Sequence, residues 1–282
     1  MAETTAVYRR YAPPAGSGHV IEHLWAVEAP AHPRPVRELL IPNGRPTIVV
    51  ALGELGVRHD PLTGTRSPNG NTLFGITTRP YVLEQRGASC YVGAQLRPYG
   101  LAALLDGTRL VDEFAALDAW LGTAQARALV ADLAARPDQP ARAAALGAAV
   151  MARCAPLPEA HLRTLEAMVA LVDDDGGGGQ VADLARRLHV STSSLYRRCT
   201  TYLGVGPKRF MEVTRYYRFV GGLLHDAGGD TPGLLARLHG YYDQAHATRD
   251  FKAYTGVTPG TFATTLNGIA RLMHAGGAEP SG

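Results

Sequence analysis

Between Val20 and about Leu96 the apolar positions fall in short runs. VIEHLWAV (20–27), TIVVAL (47–52), TLFGI (72–76) and SCYVGAQL (89–96) are rich in β-branched and aromatic residues, and Pro42-Asn43-Gly44, Gly64 and Pro68-Asn69-Gly70 separate them. Short runs divided by turn residues predict antiparallel strands. In the last run Cys90, Val92, Ala94 and Leu96 share one face, and Ser89, Tyr91, Gly93 and Gln95 the other. One apolar face and one mixed face suit a small sandwich or barrel. No helical period intervenes, which argues against a Rossmann or TIM architecture. After Arg97-Pro98-Tyr99-Gly100 the period lengthens. Leu110, Phe114, Leu117 and Leu121 recur at helical spacing, and the alanine-rich stretches 123–135 and 141–154 are strong helix formers. These helices pack on the β domain or form a dimer interface. A further helix, roughly His161–Leu171, runs into DDDGGGG at 173–179, the composition of a flexible linker.

Toward the C-terminus one pattern occurs twice. Residues 181–210 and 233–262 each hold a short apolar-periodic run (Val181, Leu184, Ala185, Leu188; Leu234, Leu235, Leu238), a polar break and a second helical run. Each copy closes on Tyr-x-Gly-x-x-Pro, Tyr202, Gly204 and Pro207 matching Tyr254, Gly256 and Pro259 at a constant offset of 52. The alanines Ala185 and Ala236 lie 51 apart, so the second copy carries one more residue in its turn. Helix, short turn and helix is the pattern of a DNA-binding helix-turn-helix. Ser191 and Asp243 are placed to cap the second helix of each copy, and Thr231-Pro232 and Gly206-Pro207 to start two others. Lys208 to about Leu224 makes a connector of roughly 25 Å, compatible with the ~34 Å between successive contacts on one face of B-DNA.

Leu195 and Cys199 face the core of the first unit, and Ala247 and Phe251 that of the second. The exposed side then presents Thr192, Ser193, Tyr196 and Arg197 in one, and Gln244, Ala245, Thr248 and Arg249 in the other. Arginine reads guanine, glutamine suits adenine, and alanine and threonine methyls suit the thymine methyl. Arg198, Lys208, Arg209 and Lys252, with Thr192, are the candidate phosphate contacts. Charge agrees with this. Residues 178–266 hold eleven basic and six acidic residues, a net of +5, within a chain of net +3. Phosphate recognition needs such an asymmetry.

The segments GYYDQAHATRDFKAYTGVTP (240–259) and LARRLHVSTSSLYRRCTTYLGVGPKRF (184–210) resemble the two signature motifs of the AraC/XylS family of transcription regulators. The resemblance implies an all-α double helix-turn-helix domain joined by a linker helix and tethered to a sensing or dimerising domain. It carries base-contact roles onto Ser193, Tyr196, Arg197, Gln244, Ala245, Thr248 and Arg249. Cys199 stands where the family usually has phenylalanine, and Ala247 where a larger apolar residue is common. Each leaves a core deficit of about 1–3 kcal/mol unless neighbours fill it. Gly221-Gly222 inside the connector adds roughly 1 kcal/mol per glycine.

The N-terminal stretches HLWAVEAP (23–30), ELLIPNGRPTIVVALG (38–53), TTRPYVL (77–83) and GAQLRPYG (93–100) more weakly resemble the β-rich, cupin-like domain of such regulators. His23, Trp25, Tyr81 and Tyr91 are the candidate effector-pocket residues; they also suit an ordinary core. No His-x-His occurs, no Gly-x-Ser-x-Gly elbow, and the glycine pairs lack the strand-to-helix setting of a phosphate loop. No catalytic residue, metal or cofactor is expected. Cys90, Cys154 and Cys199 are odd in number and far apart, hence reduced thiols.

No run reaches the roughly 18 apolar residues of a membrane span and no signal peptide opens the chain, so a cytoplasmic protein is expected. The expectation is an α+β chain. It has a β-rich domain with packed helices over 1–155, a helix and linker over 156–179, a double helix-turn-helix over 180–268 and a tail over 269–282. Its partners would be double-stranded DNA, a small-molecule effector, RNA polymerase and a second copy of itself. The other open reading is a cupin-like metal-binding or small-molecule enzyme domain fused to a DNA-binding module.

Overall fold

The computed structural model describes residues 6–60, 63–106, 109–225 and 243–259, together with Phe262, Gly268 and Leu272. Two antiparallel sheets form the N-terminal half. The larger has the order β1 (Val7–Tyr11), β2 (Ile21–Ala29), β9 (Ser89–Leu96), β4 (Thr47–Ala51), β7 (Thr72–Phe74), β10 (Phe114–Ala116). The smaller has the order β3 (Val36–Leu40), β8 (Tyr81–Gln85), β5 (Gly56–His59), β6 (Arg66–Asn69). The expected face division of β9 holds, but both faces are covered. Val92, Ala94 and Leu96, with Leu24, Ile48 and Leu73, meet Leu133, Ala143, Leu146 and Val150 from α2 (Thr123–Ala135) and α3 (Gln139–Met151). Tyr91, with Tyr8, Val27, Val49 and Phe74, lies on the opposite side of that sheet in a second cluster.

The helical spacing across Leu110–Leu121 is only partly realised. Phe114–Ala116 pairs with Thr72–Phe74 as strand β10, and helix α1 (Leu117–Leu121) begins after it. Edge pairing to β7 satisfies that stretch's backbone in a way local periodicity does not reveal.

Helix α4 (Glu159–Asp174) carries the chain into the C-terminal half. Its buried Leu165, Met168, Val169 and Val172 form one core with Leu184 and Ala185 of α5 (Val181–Arg187) and Leu195 and Cys199 of α6 (Thr192–Tyr202). Ile76 and Tyr99 of the N-terminal half complete that core. Helix α7 (Pro207–His225) follows, then α8 (Gln244–Thr255). The cap at Thr231 and the first helix of the second copy fall outside the described residues.

The glycine run after α4 touches the next helix at one point: a Cβ on Gly177 would stand 2.2 Å from Met211 O and 2.5 Å from Arg215 N, so Gly177 lies against the backbone of α7. Only glycine allows that approach. A third core joins Leu39 of β3 to Tyr216, Phe219 and Val220 of α7 and Ala247 and Phe251 of α8, with Ile41 and Val82 at its edge. The smaller sheet is therefore part of the second unit's packing.

Candidate DNA interface and effector cavity

The repeated Tyr-x-Gly-x-x-Pro signal has one structural meaning in both copies. Gly204 (φ +80) and Gly256 (φ +78) follow α6 and α8 in the left-handed conformation. Glycine ends a helix there without strain. Pro207 then opens α7, where its missing N–H costs nothing. Between α5 and α6 the turn places His189 at φ +53, a conformation more often left to glycine. The Ser191 hydroxyl accepts the Ser194 N–H at 3.2 Å and caps α6. Leu195 and Cys199 are fully buried, and the Cys199 sulfur sits 3.8 Å from that of Met168. Met168 thus packs against Cys199 in the core beneath α6, and in the second unit Ala247 packs within the cluster of Leu39, Phe219 and Phe251.

The outer face of α6 presents Thr192, Ser193, Tyr196 and Arg197, all exposed. On α8, Ala245, Arg249 and Lys252 are exposed and Thr248 half-buried, while the side chain of Gln244 falls outside the described residues. Lys208 is exposed at the start of α7. Two of the expected phosphate contacts are engaged inside the molecule. Arg198 donates to Thr164 Oγ1 at 2.7 Å on α4. Arg209 donates to Thr78 O and Oγ1, both at 3.1 Å, across the boundary with the β domain. For either to reach phosphate, these bonds must be given up.

Between the two sheets lies a cavity of about 130 Å³. Its lining includes Trp25, Phe74, Tyr81 and Tyr91 from the strands and Tyr217 from α7, the helix that follows the first unit. Three of the four expected pocket residues thus surround it. His23 does not: it lies two residues before Trp25 on β2, beside Glu22, Arg10 and Arg45. Burial pushes the Tyr81 phenol up to about 12, so it stays a neutral donor. Leu272 packs against the same aromatic cluster.

Arg45 closes the floor of the cavity and ties the halves together. It sits 9% exposed, with Nη2 2.5 Å from Asp173 Oδ2 on α4 and Nε 3.3 Å from Glu22 Oε1 on β2. Its guanidinium also lies 5.8 Å from the Phe210 ring centroid. The two carboxylates respond oppositely. For Asp173, burial outweighs Arg45 and raises its pKa. For Glu22, burial also pushes upward, but Arg45 and a hydrogen bond from Gln95 prevail and hold it below the usual range. Arg218 Nη2 adds a bond to Asp173 O at 3.0 Å.

Burial, reinforced by Arg10, depresses His23 from 6.5 to about 4. The folded chain keeps this imidazole neutral while the unfolded chain protonates it near 6.5. Its contribution is therefore complete above that pH and lost as pH falls through about 4. Acidification across this window is expected to cost about 3 kcal/mol. Urea unfolding of wild type and His23→Gln at stepped pH tests this; an equally steep loss in the variant assigns it to other groups.

Among the described residues no three His, Cys, Asp or Glu side chains gather as a metal site. All three cysteines are free, and burial raises the Cys199 thiol to about 12, which keeps it unreactive. No helix among the described residues is long and apolar enough to cross a membrane.

Residues 184–265 match the family described as a helix-turn-helix domain, and residues 9–115 the family described as a domain of unknown function, DUF6597. No curated protein matches the chain. Among solved structures, ToxT from Vibrio cholerae O395 is similar over 95% of this chain and 100% of its own, at 11% identity and a TM-score of 0.48. Unsaturated fatty acid-bound wild-type ToxT from Vibrio cholerae strain SCE256 is similar over 95% of this chain and 99% of its own, at 12% identity and a TM-score of 0.47. An AraC-type transcriptional regulator from Chromobacterium violaceum matches over 38% of this chain and 94% of its own, at 19% identity and a TM-score of 0.34. The helix-turn-helix family match spans both signature motifs, so residues 184–265 form a helix-turn-helix domain of the AraC type.

Proposed function

We propose that the protein reads two successive major-groove segments of its operator and that a small molecule in the N-terminal cavity sets how well it does so. The observation that carries this reading is the double role of α7. It follows the first unit, shares its buried face with α8 of the second, and contributes Tyr217 to the cavity wall. A ligand in the cavity then touches the element on which the two readers are mounted, the differential contact that coupling between sites requires.

In this reading Ser193, Tyr196 and Arg197 address one segment, and Gln244, Ala245, Thr248 and Arg249 the other. Thr192, Lys208 and Lys252 hold phosphate. RNA polymerase and a second copy of the chain are the protein partners such a regulator would meet in the cytoplasm.

Selection from a random DNA pool by the full-length protein, at fixed salt, should enrich two short motifs about 10 base pairs apart. On the selected operator, Arg197→Ala and Arg249→Ala should each weaken binding by about 1–3 kcal/mol and relax specificity in one motif. Lys208→Ala should lower affinity for all sequences alike and reduce the salt slope by about one. Salt-sensitive binding with no enriched motif overturns the reading.

A further inference from the structure

Among the described residues of the β domain one buried cation has no carboxylate partner. Arg58 on β5 turns inward and is 5% exposed. Its guanidinium lies between two rings, 4.5 Å from the centroid of Phe74 and 3.9 Å from that of Phe114. Nη2 donates to Pro68 O at 3.0 Å, while Nε and Nη1 are buried without an acceptor. The ionisable groups acting on it are the phenols of Tyr81 and Tyr91, not carboxylates. Burial lowers its pKa, yet a guanidinium keeps its proton in proteins. Leaving such a charge unanswered in an apolar interior is strongly unfavourable. Arg45, by contrast, already has Glu22 and Asp173.

Arg58 also stands at a junction. It lines a second cleft, of about 300 Å³, that shares Phe74, Thr77 and Tyr81 with the apolar cavity. The cleft's remaining wall includes Thr63 and Ser67, with Asp60, Glu113 and Asp112 also on it, the last paired with Arg79 at 3.5 Å. One guanidinium with free donors suits a single negative charge, and those acidic neighbours oppose a multiply charged head such as phosphate. The cavity of about 130 Å³ is close to the ~150 Å³ of an apolar cavity that accepts benzene.

We propose that Arg58 anchors the carboxylate of a small amphipathic organic acid whose body, about one ring in size, fills the cavity behind Phe74 and Tyr81. The proposal rests on the cavity being the effector site, and it gives that effector its chemical class.

The test titrates full-length wild type and Arg58→Met with phenylacetate, benzoate and hexanoate, and with the corresponding amides, followed by tryptophan fluorescence in a Trp120→Phe background, which leaves Trp25 as the reporter, and by thermal midpoint. At least one acid is expected to bind wild type about tenfold or more tightly than its amide, a preference that Arg58→Met abolishes. Removal of an unpaired buried charge should leave the thermal midpoint of the free variant unchanged or higher. Equal binding of acids and amides, or a preference that survives in Arg58→Met, overturns the anchor and leaves the cavity as the effector site. Binding of none of them at millimolar concentration overturns both.

Discussion

Replacing Arg45 with alanine is expected to destabilise the folded chain by about 3 kcal/mol, at the low end of the range for breaking a buried ion pair. The reason is what remains behind. Glu22 and Asp173, at 22% and 28% side-chain exposure, would keep carboxylates in partial burial with the cation removed. The guanidinium's contact with Phe210 would go as well. For a chain of this size the thermal midpoint should fall by roughly 6–12 °C. Asp173→Asn should cost less, about 1 kcal/mol, because burial already disfavours that carboxylate. Thermal unfolding followed by circular dichroism checks both. A midpoint for Arg45→Ala within about 2 °C of wild type would mean the contact adds nothing between the halves.

Phe251→Ala should cost about 3–5 kcal/mol. The ring is completely buried, with centroids 5.7 Å from Tyr216, 6.3 Å from Phe219 and 5.6 Å from Phe262. Among the described residues packed beside it, Ala247 is already small and cannot fill the space. The midpoint of urea unfolding should drop at unchanged slope. On an operator, protection should disappear from the segment read by α8 and persist in the segment read by α6. Uniform loss across both segments would show that the two readers are not separable through this core.

These residues also mark where the sequence was legible. Strand β9 shows its bounds in its own alternation, and the paired closing signals announce two units because each glycine and proline has a local job that no tertiary contact alters. The smaller sheet is harder to see. Its β6, Arg66–Asn69, contains Pro68 and no aliphatic residue, and β5 hides an arginine that faces inward where arginine normally signals solvent. Arg198 and Arg209 read as phosphate contacts because basic residues beside a recognition helix usually are. Their actual partners, Thr164 and Thr78, lie 34 and 131 residues away, a separation that local pattern cannot bridge. The glycine run at 176–179 has the composition of a tether, and only the backbone of α7 against Gly177 reveals a point of contact. His189 bends the first helix-turn-helix without the glycine that would have flagged it.

The core that joins Leu39 to Phe219 and Phe251 has a consequence for exchange between regulators. A chimera cut in the glycine run, with a foreign sensor placed ahead of 180–268, would remove Leu39, Ile41 and Val82 from the second reader and expose its aromatic cluster. Such grafts should aggregate or lose the second half-site unless the strand β3 edge travels with the helices. The transplantable unit of this protein is therefore not a contiguous stretch of sequence.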